Sequence, residues 1–474
     1  MTQLLPYVHP YVEQVLRHKD RLFDVARLHK GPTHLIFPAI FSENIASFKA
    51  IFDELDIQAQ IYYAHKSNKS KVFVKQALKS GINIDVASLG ELTTALSCGF
   101  TGARIGCTGT KNRDFLITAL HHQCLISLDS LFELQEILTL LDLCSLSQAR
   151  LLIRVSDPRA RGHSLTLKAS RFGILRAQVP IICEMIQADP RLVLEGFHFH
   201  NYEPAEAKAG FVDDMLTLIE DAYSMNLSPH IINIGGGFRV PWLVDYRQWS
   251  QFIDALSVAL KERKPTGTWR NYSYGLFVNE HGSISGRDKV LGEFVSTGPV
   301  ELIHDLFLDE LLRDRPLADI LRENLFEVML EPRSSIFANC GISLLRVIGV
   351  KEAADGENLV LLDGNTYNLS LFMQEQLMDP LLISATESSP QPYGAYLIGN
   401  LCKEGDMLIK RKVSFAQIPQ SGDLICFINT AAYTSDFEDT SPHQHPLGKK
   451  FVTDLRQDTL RFYDEEVYSP YYEE

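Results

Sequence analysis

Long apolar runs, paired cysteines and excess basic charge are all scarce in this chain. The run LIFPAIF at 35–41 is far short of the roughly 20 residues that a bilayer-spanning helix needs. The N-terminus, MTQLLPYVHPYVEQVLRHKD, alternates apolar and charged residues and lacks the uninterrupted apolar stretch of a signal peptide. Basic residues are outnumbered, 45 Lys and Arg against 59 Asp and Glu. The resulting net charge of −14 argues against a nucleic-acid or anionic-membrane partner. The eight cysteines form no CxxC pair and no compact framework, so a reducing, cytoplasmic location is expected.

What is present describes a globular protein of two large domains: 474 residues, 45% hydrophobic and 22% charged. From residue 61 a short β-rich run, a turn and an amphipathic helical stretch recur. The strand candidates are IYYA (61–64), INIDV (82–86), RIG (104–106), LISL (125–128), LLIRV (151–155), LEGFHF (194–199), IINI (231–234) and FEVMLE (326–331). In SLFELQEILTLL, Leu131, Leu134, Ile137, Leu138 and Leu141 share one helical face. Eight strands alternating with helices predict parallel pairing, as a closed (β/α)8 TIM barrel or, alternatively, an open doubly wound sheet. After 336 the texture changes to β-rich runs (SLLRVIGV, NLVLLDG, DMLIKRKVSF, DLICFIN) separated by turns, which predicts a C-terminal all-β sandwich. The expected organisation is an N-terminal segment, 1–34, packing with the β domain, a barrel over 35–335, and a β domain over 336–474. The stretch 264–295 reads as an insertion before the last barrel strand, and the acidic, Tyr-rich FYDEEVYSPYYEE as a solvated tail.

In a parallel barrel, chemistry collects where strands end and loops converge. Lys66 follows the first strand, Asp85 and Ser88 close the second, Asp129 ends the fourth and Arg154 lies near the end of the fifth. His200 ends the sixth, Gly235-Gly236-Gly237 follow the seventh and Glu331 ends the eighth. A lysine at such a mouth is desolvated enough to act as an imine-forming amine. The glycine run lets backbone N–H groups approach an anion, although it lacks the spacings of dinucleotide and nucleoside-triphosphate loops. His198 and His200 face one way in GFHFHNY and Phe197 and Phe199 the other. The two histidines alone make no metal site, because no matching Asp, Glu or Cys stands near them in sequence. An amine, an imidazole, an anion-holding loop and a carboxylate at one rim suit pyridoxal 5′-phosphate (PLP).

The motif YYAHKSN (62–68) resembles the Y-A-x-K-A/S-N signature of the PLP-dependent ornithine/diaminopimelate/arginine decarboxylase family. INIDVASLGEL, SLDSLFEL, SRFGI, GFHFH, INIGGGF, LEPRSSIFANCG, LLDGN, GNLCKEGD and INTAAY follow in the family's order, from about residue 35 to 435. The resemblance implies an alanine-racemase-like barrel with a β-sandwich domain. It implies that Lys66 carries PLP through its side-chain nitrogen and that His200 stacks on the ring. Gly235, Gly236 and Gly237 would hold the phosphate with Tyr433, and Glu331 would pair with the pyridine nitrogen. Asp85, Glu91 and Arg154 would support the ring and lysine, and Asp363 would lie near the substrate. Cys402 would donate a proton to Cα from the neighbouring subunit of a head-to-tail homodimer. A thiol with the ordinary pKa of about 8.5 is largely protonated near neutrality and can act as an acid.

Four departures qualify the resemblance. Asn201-Tyr202-Glu203 replaces V-G-S, Arg333-Ser334 displaces the arginine of E-P-G-R by one position, Asn233 replaces the Asp of D-x-GGG, and Lys403 replaces the acidic residue after the cysteine. Lys403 would repel a distal ammonium and attract a distal carboxylate; otherwise it faces solvent, and Glu404 or Asp363 reads the substrate. These changes point away from housekeeping polyamine or lysine synthesis, toward decarboxylation of an amino acid or amino-acid-derived intermediate in specialised, siderophore-like metabolism. Racemase or epimerase activity, a non-catalytic regulatory homologue and a metal hydrolase on a barrel are the competing readings.

Overall fold

The computed structural model describes residues 2–159, 170–200, 205–287, 290, 298–370, 376–386, 389–438 and 441–471. The chain divides into two compact units, Phe41–Arg239 with Thr297–Ile336 and Ser469–Glu474, and Met1–Ile40 with Val240–Ser296 and Phe337–Tyr468.

The first unit contains eight parallel strands: β1 (Ala59–Ala64), β2 (Asn83–Val86), β3 (Ile105–Cys107), β4 (Leu125–Leu128), β5 (Ala149–Arg154), β6 (Leu192–His198), β7 (Ile231–Asn233) and β8 (Glu327–Leu330). Pairing of β8 with β1 closes the ring, which decides for the barrel over the open sheet. Tyr62, Leu125, Leu152, Ile231 and Met329 pack together as a buried cluster drawn from five of these strands. Below them Tyr62 donates to Gln60 Oε1 at 2.9 Å, and Gln60 donates to Glu327 at 2.7 Å, so that end of the barrel is closed by a satisfied polar network. The helices after β1 to β4 start alike. Ser70, Ser88, Asn112 and Ser130 each accept a backbone N–H of the first turn, a cap worth about 1 kcal/mol apiece. Each cap fixes where its strand-to-helix loop ends, and hence where the rim residues stand.

The second unit is built on a nine-stranded mixed sheet. The long strand Gly341–Glu352 pairs antiparallel with Asn358–Asp363, Leu424–Ile428 and Thr33–Ile36. Lys449–Arg456 runs parallel to Thr33–Ile36, and Tyr393–Ile398 parallel to Asn358–Asp363. Its core includes Leu345, Val347, Val360, Leu362, Leu397 and Phe427. The structure departs from the sequence reading at three places in this unit. Thr459–Asp464 forms a strand on Lys449–Arg456, so FYD is sheet rather than solvated tail. DMLIKRKVSF supplies a strand only at Val413–Phe415, because Arg411 turns inward to pair with buried Asp379. The stretch read as an insertion carries the hairpin of Phe277–Val278 and Ile284–Ser285 and clusters with this unit.

Candidate active site

The barrel rim is assembled by short-range devices acting at each strand end. After β1 the chain makes one 3₁₀ turn, His65–Ser67, closed by Asn68 N–H donating to His65 O at 3.0 Å and Ser67 Oγ donating to Ala64 O at 2.6 Å. That turn presents Lys66, whose side chain is 35% exposed and whose Nζ stands 3.7 Å from Asp85 Oδ2 at the end of β2. Asp85 is buried; burial first and the Glu331 carboxylate second push its carboxyl up to about 7, against the Lys66 ammonium and the Thr108 hydroxyl. Glu91 accepts from Ala87 N–H at 2.7 Å and lies 4.0 Å from His65, so it shapes the loop beside Lys66. Ser88 is the cap described above, and Asp129 accepts from Gly173 N–H at 2.7 Å. Arg154, at the end of β5, lies 4.8 Å over the Phe172 ring, and burial lowers its pKa despite the carboxylates of Glu331 and Asp129.

Glu331 is the centre of this rim. Asn233 Nδ2 donates to its Oε1 at 2.8 Å, while His198 Nε2 and His200 Nδ1 stand 3.6 Å from Oε1 and Oε2. Burial alone would raise the Glu331 pKa; the two imidazoles and the Lys66 ammonium outweigh it and hold the carboxylate well below its ordinary range. Burial drives both imidazoles toward the neutral form, His200 to about 4 and His198 well below its ordinary value. Ser127 Oγ lies 2.8 Å from His198 Nδ1; with the hydroxyl donating there, the ring proton rests on Nε2, facing Glu331. No carboxylate stands beside the two histidines in sequence, but the fold brings one to them. Glu331 joins them from a distant strand, with ligand atoms of all three within 4.8 Å of one another.

The glycine run does not act as three equal donors. Gly235 N–H donates to Asn233 Oδ1 at 2.8 Å, and Gly236 N–H to His200 Nδ1 at 3.3 Å. Gly237 N–H has no acceptor among the described residues. A Cβ at Gly236 would come within 2.7 Å of Glu331 O and 3.4 Å of Arg333 Nε, so only glycine leaves the backbone open here. Arg333 therefore stands against the loop. Lys208, which sequence reasoning did not single out, is buried beneath it and donates to Gly236 O at 2.9 Å. Asn201-Tyr202-Glu203, expected to alter the phosphate site, lie outside the described residues.

The remaining candidates belong to the second unit. The segment 399–407 is held by Asp406, a second residue that sequence reasoning passed over. Its buried carboxylate accepts Leu401 N–H and Thr366 N–H at 2.9 Å each. A Cβ at Gly399 would overlap the same carboxylate, at 2.1 Å, which is why glycine opens the segment. Cys402 is exposed on this loop, and its N–H donates to His443 Nδ1 at 3.4 Å. Lys403 Nζ lies 5.9 Å over the Tyr367 ring and forms no ion pair with a described residue. Glu404 pairs with Arg270 at 2.7 Å, and Asp363 with Arg346 at 2.5 Å, so both acidic residues weighed as alternatives to Lys403 already have cationic partners. Tyr433 follows the strand Leu424–Ile428 with φ +58°, its ring 5.3 Å from Phe437.

Residues 41–269 match the family described as pyridoxal-dependent decarboxylase, pyridoxal binding domain. Over 439 residues the chain is 29% identical to the uncharacterized protein y4yA of Sinorhizobium fredii, covering 91% of this chain and 89% of that one. It is 28% identical to the diaminopimelate decarboxylase of Bacillus subtilis over 51% of this chain and 58% of that protein. Similarity also extends to the 2-[(L-alanin-3-ylcarbamoyl)methyl]-2-hydroxybutanedioate decarboxylase of Staphylococcus aureus, 24% identical over 52% of this chain and 64% of that one. Among solved structures, diaminopimelate decarboxylase from Helicobacter pylori superposes with a TM-score of 0.68 at 17% identity, over 94% of this chain and 95% of that one, a likeness of fold. No helix among the described residues is long and apolar enough to cross a membrane.

Proposed function

The chain belongs to the PLP-dependent decarboxylases as a divergent member, and from that premise we propose that Lys66 holds the cofactor while Cys402 returns a proton to the substrate Cα. It is a carboxy-lyase acting on an amino-acid-type substrate. The observation that carries the site reading is the convergence on one barrel rim of a half-exposed Lys66, a braced anionic Glu331, neutral His200 and an open glycine loop. These residues fit PLP group by group. Lys66 Nζ suits its carbonyl, Glu331 its protonated pyridine nitrogen, and His200 its flat ring. Gly237 N–H and Arg333 suit its phosphate. Bound there, PLP supplies the electron sink for the pair left when the bond from Cα to the carboxylate breaks.

This chain's residues then have distinct tasks. Glu331 stays ionised because the Asn233 amide and the Lys66 ammonium favour its charged form, so it holds a proton on a partner nitrogen instead of taking one. His200, uncharged, packs on a ring without adding a competing positive charge. Asp85 and Arg154 set the charge around Lys66, and Glu91 its loop. Cys402, exposed on a loop stapled by Asp406, offers its thiol proton to the site of a second copy in a homodimer.

The substrate we propose carries a distal carboxylate. Lys403 has no anionic partner among the described residues, whereas Glu404 and Asp363, the alternatives for reading an ammonium, are engaged by Arg270 and Arg346. The named substrate of the Staphylococcus aureus relative is a carboxylate-rich amino-acid conjugate, which supports a place in specialised, siderophore-like metabolism. The test is CO2 release from PLP-loaded protein across acidic, basic and conjugated amino acids, with Lys403→Glu in parallel. Carboxylate-bearing substrates should lead in the wild type and lose at least about tenfold in Lys403→Glu. Preference for diamino acids in the wild type would overturn the substrate class.

A further inference from the structure

We infer that Lys208 is a positioning residue for the glycine run, setting the glycine amide that, among the described residues, is left for a phosphate; this rests on the cofactor reading above. Lys208 is the fourth residue of the helix Ala205–Ser224 and is completely buried, where a helical lysine ordinarily extends its amine to water. Its Nζ lies 5.9 Å over Phe199 and 5.6 Å over Phe238, and donates to Gly236 O at 2.9 Å. Burying an amine is unfavourable unless polar partners compensate its lost hydration, so a slot needing only bulk would be better filled by Leu or Met.

The hydrogen bond has a consequence on the far side of the peptide. In a planar trans peptide the C=O of one residue and the N–H of the next point in opposite directions, and no described peptide here is cis. Holding Gly236 O therefore fixes Gly237 N–H to point away from Lys208. Gly235 and Gly237 have φ of +64° and +91°, and glycines on both sides let the 236–237 peptide flip at little steric cost. A flip would turn a carbonyl oxygen toward the anion in place of a donor. Gly235 N–H and Gly236 N–H are already spent on Asn233 and His200. Of the three glycine amides, the one that Lys208 orients is thus the one left to bind.

The experiment compares affinity for PLP with affinity for pyridoxal, which lacks the phosphate, in wild type, Lys208→Met, Lys208→Gln and Lys208→Arg. Lys208→Met should weaken PLP about 10- to 100-fold and pyridoxal by no more than about threefold; Lys208→Arg should restore most of the difference, and Lys208→Gln only part. Equal losses for both ligands would mean a merely structural lysine and would overturn the inference. A wild type that binds neither ligand would instead refute the cofactor reading. Should Lys208→Met not fold, the wild type decides. Adjacent glycines occur in this chain only at 235–237, so glycine labelled with 13C at its carbonyl and 15N at its amide marks just the Gly236 and Gly237 amides. PLP, but not pyridoxal, must shift the Gly237 amide; its indifference to PLP overturns the proposal.

Discussion

Replacing Asp85 with Asn should stabilise the cofactor-free protein, and only above acidic pH. In the folded barrel this carboxyl is 1% exposed and moves from 3.8 to about 7, chiefly through burial and then through Glu331. A raised folded-state value means that the native chain keeps a proton which the unfolded chain has released. The associated stability is therefore complete below pH 3.8 and is lost as pH rises to about 7. The full loss is about 4 kcal/mol at 1.36 kcal/mol per unit, of which about 2.7 kcal/mol falls between roughly pH 5 and 8.5. Asn has the same shape and does not titrate, so Asp85→Asn should escape this loss. Urea unfolding of the apo proteins, followed by far-UV circular dichroism at several pH values, measures the difference directly. Its free-energy gap over wild type should widen by about 2–3 kcal/mol across that range. A gap that stays constant with pH would refute the reasoning, because it would mean that Asp85 is ionised throughout. The same variant deprives Lys66 Nζ of its partner at 3.7 Å, so turnover should fall while stability rises.

Three further outcomes are expected. Asn233→Ala removes donors or acceptors for both Glu331 and Gly235 N–H and should cost about 1–3 kcal/mol of stability together with PLP affinity; an unchanged urea midpoint would show that the brace is idle. Lys66→Ala and Cys402→Ala should each lose most turnover, about 10²- to 10⁴-fold for the cysteine. Mixed and allowed to exchange subunits, the two should recover about a quarter of wild-type CO2 release if sites are shared across a dimer, since half the dimers are mixed and each mixed dimer has one intact site. No recovery after demonstrated exchange would place both groups in one chain's own site. Asp406→Ala should speed amide exchange at Leu401 and Thr366 by at least about tenfold, because a buried charged acceptor contributes about 1.5–3 kcal/mol to such bonds. Equal exchange rates would mean that the loop is held by something else.

The barrel was legible because its strands are short buried apolar runs punctuated by capped helices. LISL was placed at its observed bounds, 125–128, since all four residues are buried and Ser130 caps the next helix. Long-range pairing was not legible in the same way. Thr33–Ile36 reads locally as the opening of LIFPAIF, yet it lies between Gly341–Glu352 and Lys449–Arg456, partners that no local pattern can name. FYD reads as the start of an acidic, terminal run, but every residue of Thr459–Asp464 pairs across Lys449–Arg456, which overrides composition.

The rim shows the same limit at the level of chemistry. Residue type and strand end suffice to nominate Lys66, Asp85, His200 and Glu331, because a parallel barrel sends every strand end to one face. What those groups can do depends on contacts made across the ring. Glu331 remains an anion because of Asn233 on β7 and His198 on β6, and His198 is oriented by Ser127 on β4. The glycine run is clearer still. Adjacency makes its three amides look equivalent, whereas side chains at the end of its own strand and after β6 have taken two of them and a helix has taken the intervening carbonyl. A motif thus identifies which atoms can bind a phosphate. The packing around it determines which of them are left to do so.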